Sequence, residues 1–192
     1  PEKAARLLLN KIPIQKFIIE NLKKKLQPND LIVSMLPASK HLEMAYIAAE
    51  NKCHFLTSSY YDPLYEKLDN QFVKNKTVFM CETGLDPGID HLFAHKLIND
   101  FNISIKGKKI TSINFKSMCG GFPLIPDEFK YKFSWSPLGV LKALNSKAIF
   151  IKNFKKETSL KPYHSISQIN FRGEKFETYP NRDSLPYIKE YQ

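Results

Sequence analysis

The sequence contains no hydrophobic run long enough to cross a membrane. Its 192 residues hold only strand-sized apolar stretches, such as residues 31–37, whereas a transmembrane helix needs about 18 or more apolar residues. The N-terminus has no hydrophobic signal core and does not begin with Met, so we expect the natural protein to start upstream. The lack of a long apolar run argues against a membrane-spanning protein.

Cysteine and glycine are both scarce. Cys53, Cys81 and Cys119 have no C-x-x-C spacing, which argues against a disulfide framework and a zinc site and favours the cytoplasm. There are seven glycines, the first of them Gly84, and no G-x-G-x-x-G. Either the protein binds no dinucleotide, or the strand, turn and helix that would carry this motif precede the sequence.

Only three of the 29 basic residues are arginines, namely Arg6, Arg172 and Arg182, although the net charge is +10. Base readout and bidentate phosphate binding favour Arg over Lys. The lysines are scattered, which indicates a solvated surface. Attraction of an anionic small molecule or of a nucleic acid is the alternative, and nucleic acid is the weaker of the two for lack of any motif.

Predicted strands and helices alternate over the first 90 residues. The strands are 12–19, 30–37, 53–57 and 77–81, and the helices are 2–10, 21–26, 41–51 and 63–73. The apolar run 30–37 is typical of a strand buried on both faces. Short β-α-β connections predict a parallel sheet, whose ligands bind beyond the carboxyl ends of its strands.

The pattern changes after residue 90, where we predict an α+β domain. It contains helices 91–101 and 136–145, strands 109–117, 148–154, 167–171 and 175–179, and a tight turn at 119–123. The first domain then covers residues 1–90 and the second covers residues 91–192.

Several residues could carry chemistry or could simply be structural. Asp86 is a better catalytic candidate than Asp90, which can cap the following helix. His91 and His95 are spaced four apart, but a metal site would need a third ligand. Cys119 is either a small buried side chain or an acid–base group. Trp135 is either part of the core or a flat surface on which a nicotinamide or ribose stacks. Arg182 either pairs internally or binds a ligand carboxylate.

Six motifs occur in an order and spacing that resemble the saccharopine reductases, the NADP-dependent, glutamate-forming saccharopine dehydrogenases. They are SMLP (34–37), TSSY (57–60), ETGLDPGIDH (82–91), CGGFP (119–123), YKFSWSPLGVL (131–141) and YPNRDSL (179–185). The resemblance implies an incomplete Rossmann-like sheet followed by an α+β substrate and dimerisation domain. It also implies NADPH-dependent reduction of the imine of 2-aminoadipate semialdehyde and glutamate to saccharopine, or the reverse.

The resemblance further implies roles for particular residues. The catalytic candidates are Asp86, Cys119 and Tyr60, and the substrate contacts are Ser58, Ser59, Asn181 and Arg182. The NADP contacts are Met35, Thr57, Ser58, Gly84, Leu85, Asp86 and Trp135. We expect small amino-acid substrates, no metal, no nucleic acid and no membrane partner, and a homodimer is compatible with the family. The alternatives are a carboxynorspermidine or homospermidine synthase-like enzyme and a binding module of the same fold without cofactor.

Overall fold

The computed structural model describes residues 13–125, 128, 131–133 and 136–191. The chain divides into two compact units, with the division between Phe93 and Ala94. The helix that we predict at residues 2–10 lies outside the described residues, as does Trp135. None of the described helices is long and apolar enough to span a membrane.

The first unit alternates helices with the strands of one parallel sheet. In chain order its elements are α1 (Ile19–Lys25), β1 (Leu31–Ser34), α2 (His41–Glu50), β2 (His54–Thr57), α3 (Glu66–Asn75) and β3 (Phe79–Met80). Short 3-10 turns at Ala38–Lys40 and Pro63–Tyr65 lead into α2 and α3. The strand order is β1-β2-β3, all parallel. The predicted parallel sheet is confirmed.

The core of this unit lies between the sheet and α2 and α3. Phe55 of β2 is 1% exposed and packs edge-on against Phe79 of β3, with ring centroids 5.1 Å apart. Leu68 and Phe72 of α3 belong to the same cluster. A large aromatic side chain buried in this way stabilises a fold by about 3 to 5 kcal/mol relative to alanine, so this cluster holds β2 and β3 against α3.

Strand β1 is not buried on both faces, contrary to our prediction. Ile32 and Ser34 are buried, whereas Leu31 and Val33 are 57% and 53% exposed. Helix α2 packs on one face only, and the opposite face borders an open groove that Phe17 also lines. A continuous apolar run therefore does not show whether one face or both faces of a strand are buried.

The face of α2 also differs from the predicted one. We placed Leu42, Ala45, Tyr46 and Ala49 on the buried side, but Tyr46 is 39% exposed and Leu42 is only partly buried. The buried side is wider and includes Met44 and Ile47, among other residues. The small alanines on this helix allow it to lie close to the sheet, which brings both flanks of the helix into the core.

The predicted strand at residues 12–19 is wrong, because residues 13–18 form no regular structure and α1 begins at Ile19. Pro13 has no backbone N–H to donate to a ladder. The β-branched composition favoured a strand, but a strand is stable only beside a partner. No described strand pairs with this segment.

The described part of the second unit contains two antiparallel hairpins, two short helices and most of a third helix that begins in the first unit. Helix α4 (Ile89–Ser104) leads into it and is longer than predicted. Its other elements are α5 (Pro137–Leu144), β4 (Ala148–Lys152), β5 (Lys155–Ser159), β6 (Ser167–Phe171), β7 (Glu174–Thr178) and α6 (Tyr187–Glu190). Strand β4 pairs with β5, and β6 pairs with β7.

Local turn and cap chemistry explains the bounds of these elements. The Ser136 hydroxyl accepts the Gly139 N–H at 3.1 Å and begins α5, which confirms the predicted helix. Strand β4 ends earlier than predicted because Asn153 and Phe154 both adopt left-handed backbone angles, the conformation of a tight hairpin turn. We did not predict β5, whose sequence KKETS is too polar to resemble a strand.

Two predictions for residues 109–123 are wrong. Residues 109–117 alternate in polarity but form no strand, and all of them are exposed. Alternation specifies a strand only where a sheet can receive one face, and no described strand pairs with this segment. Residues 119–123 form no turn, and the Gly120 backbone does not adopt the left-handed conformation that favours glycine.

Candidate functional site

The loops that follow the three parallel strands lie at one edge of the sheet, because parallel strands end on the same side. Met35 follows β1 and is 76% exposed. Thr57 ends β2 and is fully buried, whereas Ser58, Ser59 and Tyr60 after it are partly exposed. This edge therefore presents both apolar and hydroxyl groups to solvent.

Backbone hydrogen bonds tie the loop after β2 to the loop after β3. The Thr83 N–H and hydroxyl both donate to the Thr57 carbonyl, at 3.2 and 3.0 Å. The Glu82 N–H donates to the Ser59 carbonyl at 2.9 Å. At Gly84 a Cβ atom would lie 3.0 Å from Ser58 Cβ, so the lack of a side chain there allows the two loops to approach.

The segment from Gly84 to Asp90 is a closed loop whose conformation depends on Gly88. The φ angle of Gly88 is +143°, and a Cβ there would collide with the backbone of Glu82 and Gly84. The Asp90 carboxylate accepts the Gly88 N–H at 2.6 Å. Asp90 is the second residue of α4 and holds the N–H of the residue before the helix, so it does not cap the helix from the preceding position as we predicted. Its carboxylate is still engaged within the loop, and Asp86 remains the better candidate for other chemistry.

Two catalytic candidates meet in this loop region. The Tyr60 hydroxyl donates to Asp86 Oδ1 at 2.9 Å, across the loops that follow β2 and β3. Asp86 is exposed, and Leu85 beside it is 69% exposed. A phenol hydrogen-bonded to a carboxylate at a solvent-accessible edge can exchange protons with a bound ligand.

The neighbouring Tyr61 is held differently. Its hydroxyl donates to Glu66 Oε1 at 2.5 Å, and that hydrogen bond is the main reason that the pKa of Tyr61 rises to about 12. The Tyr61 N–H donates to Glu82 Oε1 at 3.0 Å. A phenol with so high a pKa is a poor proton donor near neutral pH.

A buried histidine that we did not predict as a site residue joins the loops at this edge. His41 is 1% exposed, and burial lowers its pKa below the ordinary value. Its Nδ1 lies 2.9 Å from Ser34 Oγ, and its Nε2 lies 2.8 Å from Ser59 Oγ and 3.1 Å from Thr57 Oγ1. The sequence signal was a histidine at the first residue of the helix that follows SMLP.

The other predicted site residues belong to the second unit, except Trp135, which is not described. Cys119 and Asn181 are exposed. Arg182 is also exposed, its φ angle is +56°, and its carbonyl accepts the Ile149 N–H at 2.8 Å. The Ser184 N–H donates back to the Ile149 carbonyl at 2.9 Å. The loop that carries Arg182 is therefore fixed along β4.

The Asp183 carboxylate has a structural use in the same loop, since it accepts the Leu185 N–H at 2.9 Å.

His95 packs its ring against Tyr191, with centroids 5.1 Å apart. His91 Nε2 lies 4.0 Å from the Asp90 carboxylate. In the described part of the chain, no three His, Cys, Asp or Glu side chains form a group that could hold a metal ion.

Comparison with protein families gives a match over more than half of the chain. The family model of the saccharopine dehydrogenase C-terminal domain matches residues 84–192. These residues include the Gly84–Asp90 loop, Cys119 and the loop that carries Arg182.

Curated proteins of known name are also similar. Saccharopine dehydrogenase [NADP(+), L-glutamate-forming] of Schizosaccharomyces pombe is 37% identical over 98% of this chain and 44% of its own length. The protein of that name from Saccharomyces cerevisiae is 40% identical over 85% of this chain and 37% of its length. The alpha-aminoadipic semialdehyde synthase of Arabidopsis thaliana is 36% identical over 90% of this chain and 16% of its own.

A solved structure shares the fold. The saccharopine dehydrogenase (L-Glu forming) from Saccharomyces cerevisiae superposes with a TM-score of 0.66 at 32% sequence identity, over 90% of this chain and 39% of that one. The chain thus spans less than half the length of the fungal relatives that it matches.

We expect the buried His41 to make the stability of the chain sensitive to acid. Its folded-state pKa lies below 6.5, so the unfolded chain binds the proton more readily and protonation favours unfolding. As the pH falls from 7 to 5, the unfolding free energy should drop more steeply for the native sequence than for His41→Gln. The extra slope is at most about 1.4 kcal/mol per pH unit.

Urea unfolding at pH 7, 6 and 5 measures this difference. The other histidines are common to both proteins, so their contribution cancels in the comparison. Parallel pH profiles would contradict the expectation and would mean that His41 titrates alike in both states.

Proposed function

The chain belongs to the saccharopine dehydrogenase family, and on that premise we propose that it is part of an NADPH-dependent oxidoreductase of lysine and 2-aminoadipate metabolism. The reaction joins 2-aminoadipate semialdehyde to glutamate through an imine and reduces that imine to saccharopine, or runs in reverse. The observation that carries the proposal is the Tyr60–Asp86 pair beside Ser58 and Ser59 at the carboxyl edge of the parallel sheet.

The residues at this edge suit part of an NADP molecule. Met35 offers an exposed apolar surface after β1, and Ser58 and Gly84 bring hydroxyl and backbone groups of the next loops close together. The Thr57 side chain, which we predicted to contact NADP, is fully buried beside His41 and helps to hold the loop in place. Leu85, Asp86 and Trp135 are the remaining contacts that we propose. The sequence contains no G-x-G-x-x-G for the phosphates, so we assign to this chain the portion of the cofactor site beyond them.

NADPH, when bound, supplies the hydride, and the residues of this chain handle protons and orientation. We propose that the Asp86 carboxylate and the Tyr60 hydroxyl relay a proton between the substrate nitrogen or oxygen and solvent. Condensation joins the glutamate nitrogen to the aldehyde carbon and expels the carbonyl oxygen as water, which requires protonation of that oxygen. The hydrogen bond of 2.9 Å between Tyr60 and Asp86 allows this pair to accept one proton and release another. Cys119 is the third acid–base candidate.

The substrate carries several carboxylates, and the chain offers matching donors. Ser58 and Ser59 supply hydroxyl groups at the sheet edge. Asn181 and Arg182 supply an amide and a guanidinium on the loop that β4 holds in place. A guanidinium can bind a carboxylate through two parallel hydrogen bonds, which a lysine cannot reproduce. We therefore propose that Arg182 binds a substrate carboxylate.

Membership of this family also suggests how the domains and subunits are organised. We propose that residues 1–90 form the later part of a Rossmann-like NADP-binding domain and residues 91–192 part of the domain that binds the substrate. A cytoplasmic homodimer is the assembly that we propose. The parallel order β1-β2-β3 and the exposed apolar residues of α4, such as Leu92 and Leu97, are consistent with these assignments.

The proposal can be tested by inserting the chain into the Schizosaccharomyces pombe relative in place of the segment that it matches. We expect this chimera to oxidise NADPH only when 2-aminoadipate semialdehyde and glutamate are both present. The unmodified fungal protein is the positive control, and an Asp86→Asn chimera should lose most of its turnover while still binding NADPH. Absorbance at 340 nm measures the rate.

Two outcomes would replace the proposal. Oxidation that requires a diamine instead of glutamate would indicate a carboxynorspermidine or homospermidine synthase-like enzyme. A folded chimera that binds neither NADPH nor saccharopine would indicate a binding module that has lost the chemistry.

A second test concerns Arg182. We expect Arg182→Ala in the chimera to raise the KM for saccharopine by about 10- to 100-fold, because hydrogen bonds to a charged group contribute about 1.5 to 3 kcal/mol. The KM for NADP should change by less than about twofold, since that contact is with the substrate alone.

Arg172→Ala is the matched control, because Arg172 is also exposed and also has a left-handed backbone, with φ +53° against +56° for Arg182. The control should leave both KM values unchanged. If Arg182→Ala alters both KM values equally, Arg182 has a structural role and does not bind the substrate.

A further inference from the structure

We propose that His41 is a positioning residue, which fixes Ser59 and Thr57 relative to the end of β1 and thereby orients the Ser59 hydroxyl that binds the ligand. The identity of that ligand rests on the proposed function, whereas the hydrogen bonds themselves do not. His41 is not a catalytic residue, because a side chain that is 1% exposed does not touch a substrate.

The position of His41 in the chain explains how one side chain reaches both strands. It is the first residue of α2, the helix that connects β1 to β2, and follows a 3-10 turn directly. Ser34 is the last residue of β1, and Thr57 is the last residue of β2. The two residues are register partners in neighbouring parallel strands, so the imidazole links the ends of two adjacent strands.

The neutral ring can form hydrogen bonds to its partners through both nitrogens. A neutral imidazole has one N–H donor and one acceptor nitrogen, and a hydroxyl can serve as either donor or acceptor. All three partners of His41 are hydroxyls, with one at Nδ1 and two at Nε2. Ser34 and Thr57 are themselves 4% and 0% exposed, so loss of the imidazole would leave buried hydroxyls without this partner, which is unfavourable.

Ser59 is the residue through which His41 affects the ligand. Among the described residues, His41 Nε2 is the only partner of Ser59 Oγ. The Ser59 carbonyl accepts the Glu82 N–H, and its N–H donates to Thr57 Oγ1 at 3.3 Å. Because Thr57 Oγ1 is itself bonded to His41, both the hydrogen bond of the Ser59 amide and the hydrogen-bonding direction of the Ser59 hydroxyl depend on His41.

Two substitutions separate this positioning role from simple packing. The amide of His41→Gln can reach the place of Nε2, next to Ser59 and Thr57, whereas the shorter amide of His41→Asn reaches only that of Nδ1, next to Ser34. Both variants place a polar amide in the same buried site. Ile47→Ala is the control, since Ile47 is buried in the same helix, at 4% exposure, but belongs to the hydrophobic core.

The first measurement uses the ligand-free chain. In ¹⁵N–¹H correlation spectra we expect His41→Asn to shift the amide signals of Ser58, Ser59 and Glu82, and His41→Gln to leave them close to their native positions. Ile47→Ala should lower the Tm without moving these three signals. Native-like signals at Ser58 and Ser59 in His41→Asn would overturn the proposal, whether or not the chain binds NADPH or saccharopine.

The second measurement uses the chimera with the fungal relative. We expect His41→Asn to raise the KM for saccharopine by about 5- to 10-fold and His41→Gln by less than about twofold. Equal increases in the two variants, in proportion to their loss of Tm, would show that His41 only stabilises the fold. Should His41→Asn fail to fold, Ser34→Ala removes the Nδ1 partner alone, and an unchanged Ser59 amide signal and KM in that variant would also overturn the proposal.

An inactive chimera would refute the proposed function and not the role of His41, because the spectra of the ligand-free chain test that role separately.

Discussion

The hydrogen bonds of His41 connect the last residue of β1 to the last residue of β2 and to the turn that follows it. This buried link matters because the sheet is short. Strands β1 and β2 have four residues each and β3 has two, so few ladder bonds fix the ends of the strands. Side-chain and loop hydrogen bonds must supply the rest, and they converge on Thr57, which His41 and Thr83 both contact.

The fixed loops explain why a tyrosine and an aspartate from different parts of the chain meet. Tyr60 follows the turn that His41 holds, and Asp86 lies in the loop that Gly88 and Asp90 close. The two side chains are 26 residues apart, yet their oxygen atoms lie 2.9 Å apart. Because the hydrogen bonds of Thr83 and Glu82 join these loops directly, the contact between Tyr60 and Asp86 forms without a bound ligand.

The sequence predicted the parts of the fold that local patterns determine. Buried apolar runs with short connections indicated the parallel sheet, and the SPLG sequence indicated the start of α5. It failed at residues 12–19 and 109–117, where composition or alternation suggested strands but no described strand pairs with them. The loop sequence itself indicated Asp86, and the resemblance to a family added Tyr60 as a candidate. Neither indicated His41, because the role of that residue arises from contacts between strand ends that no spacing in the sequence reveals.

The central claim is that the ligand binds at the carboxyl edge of the parallel sheet, where His41 holds the loops. The most direct test is titration of the ¹⁵N-labelled chain with millimolar NADPH and, separately, with saccharopine, following every backbone amide signal. The account predicts saturable shifts at Met35, at Thr57–Tyr60 and at Gly84–Asp86. No saturable shift at these residues, or shifts confined to the lysine-rich β4–β5 hairpin, would contradict it.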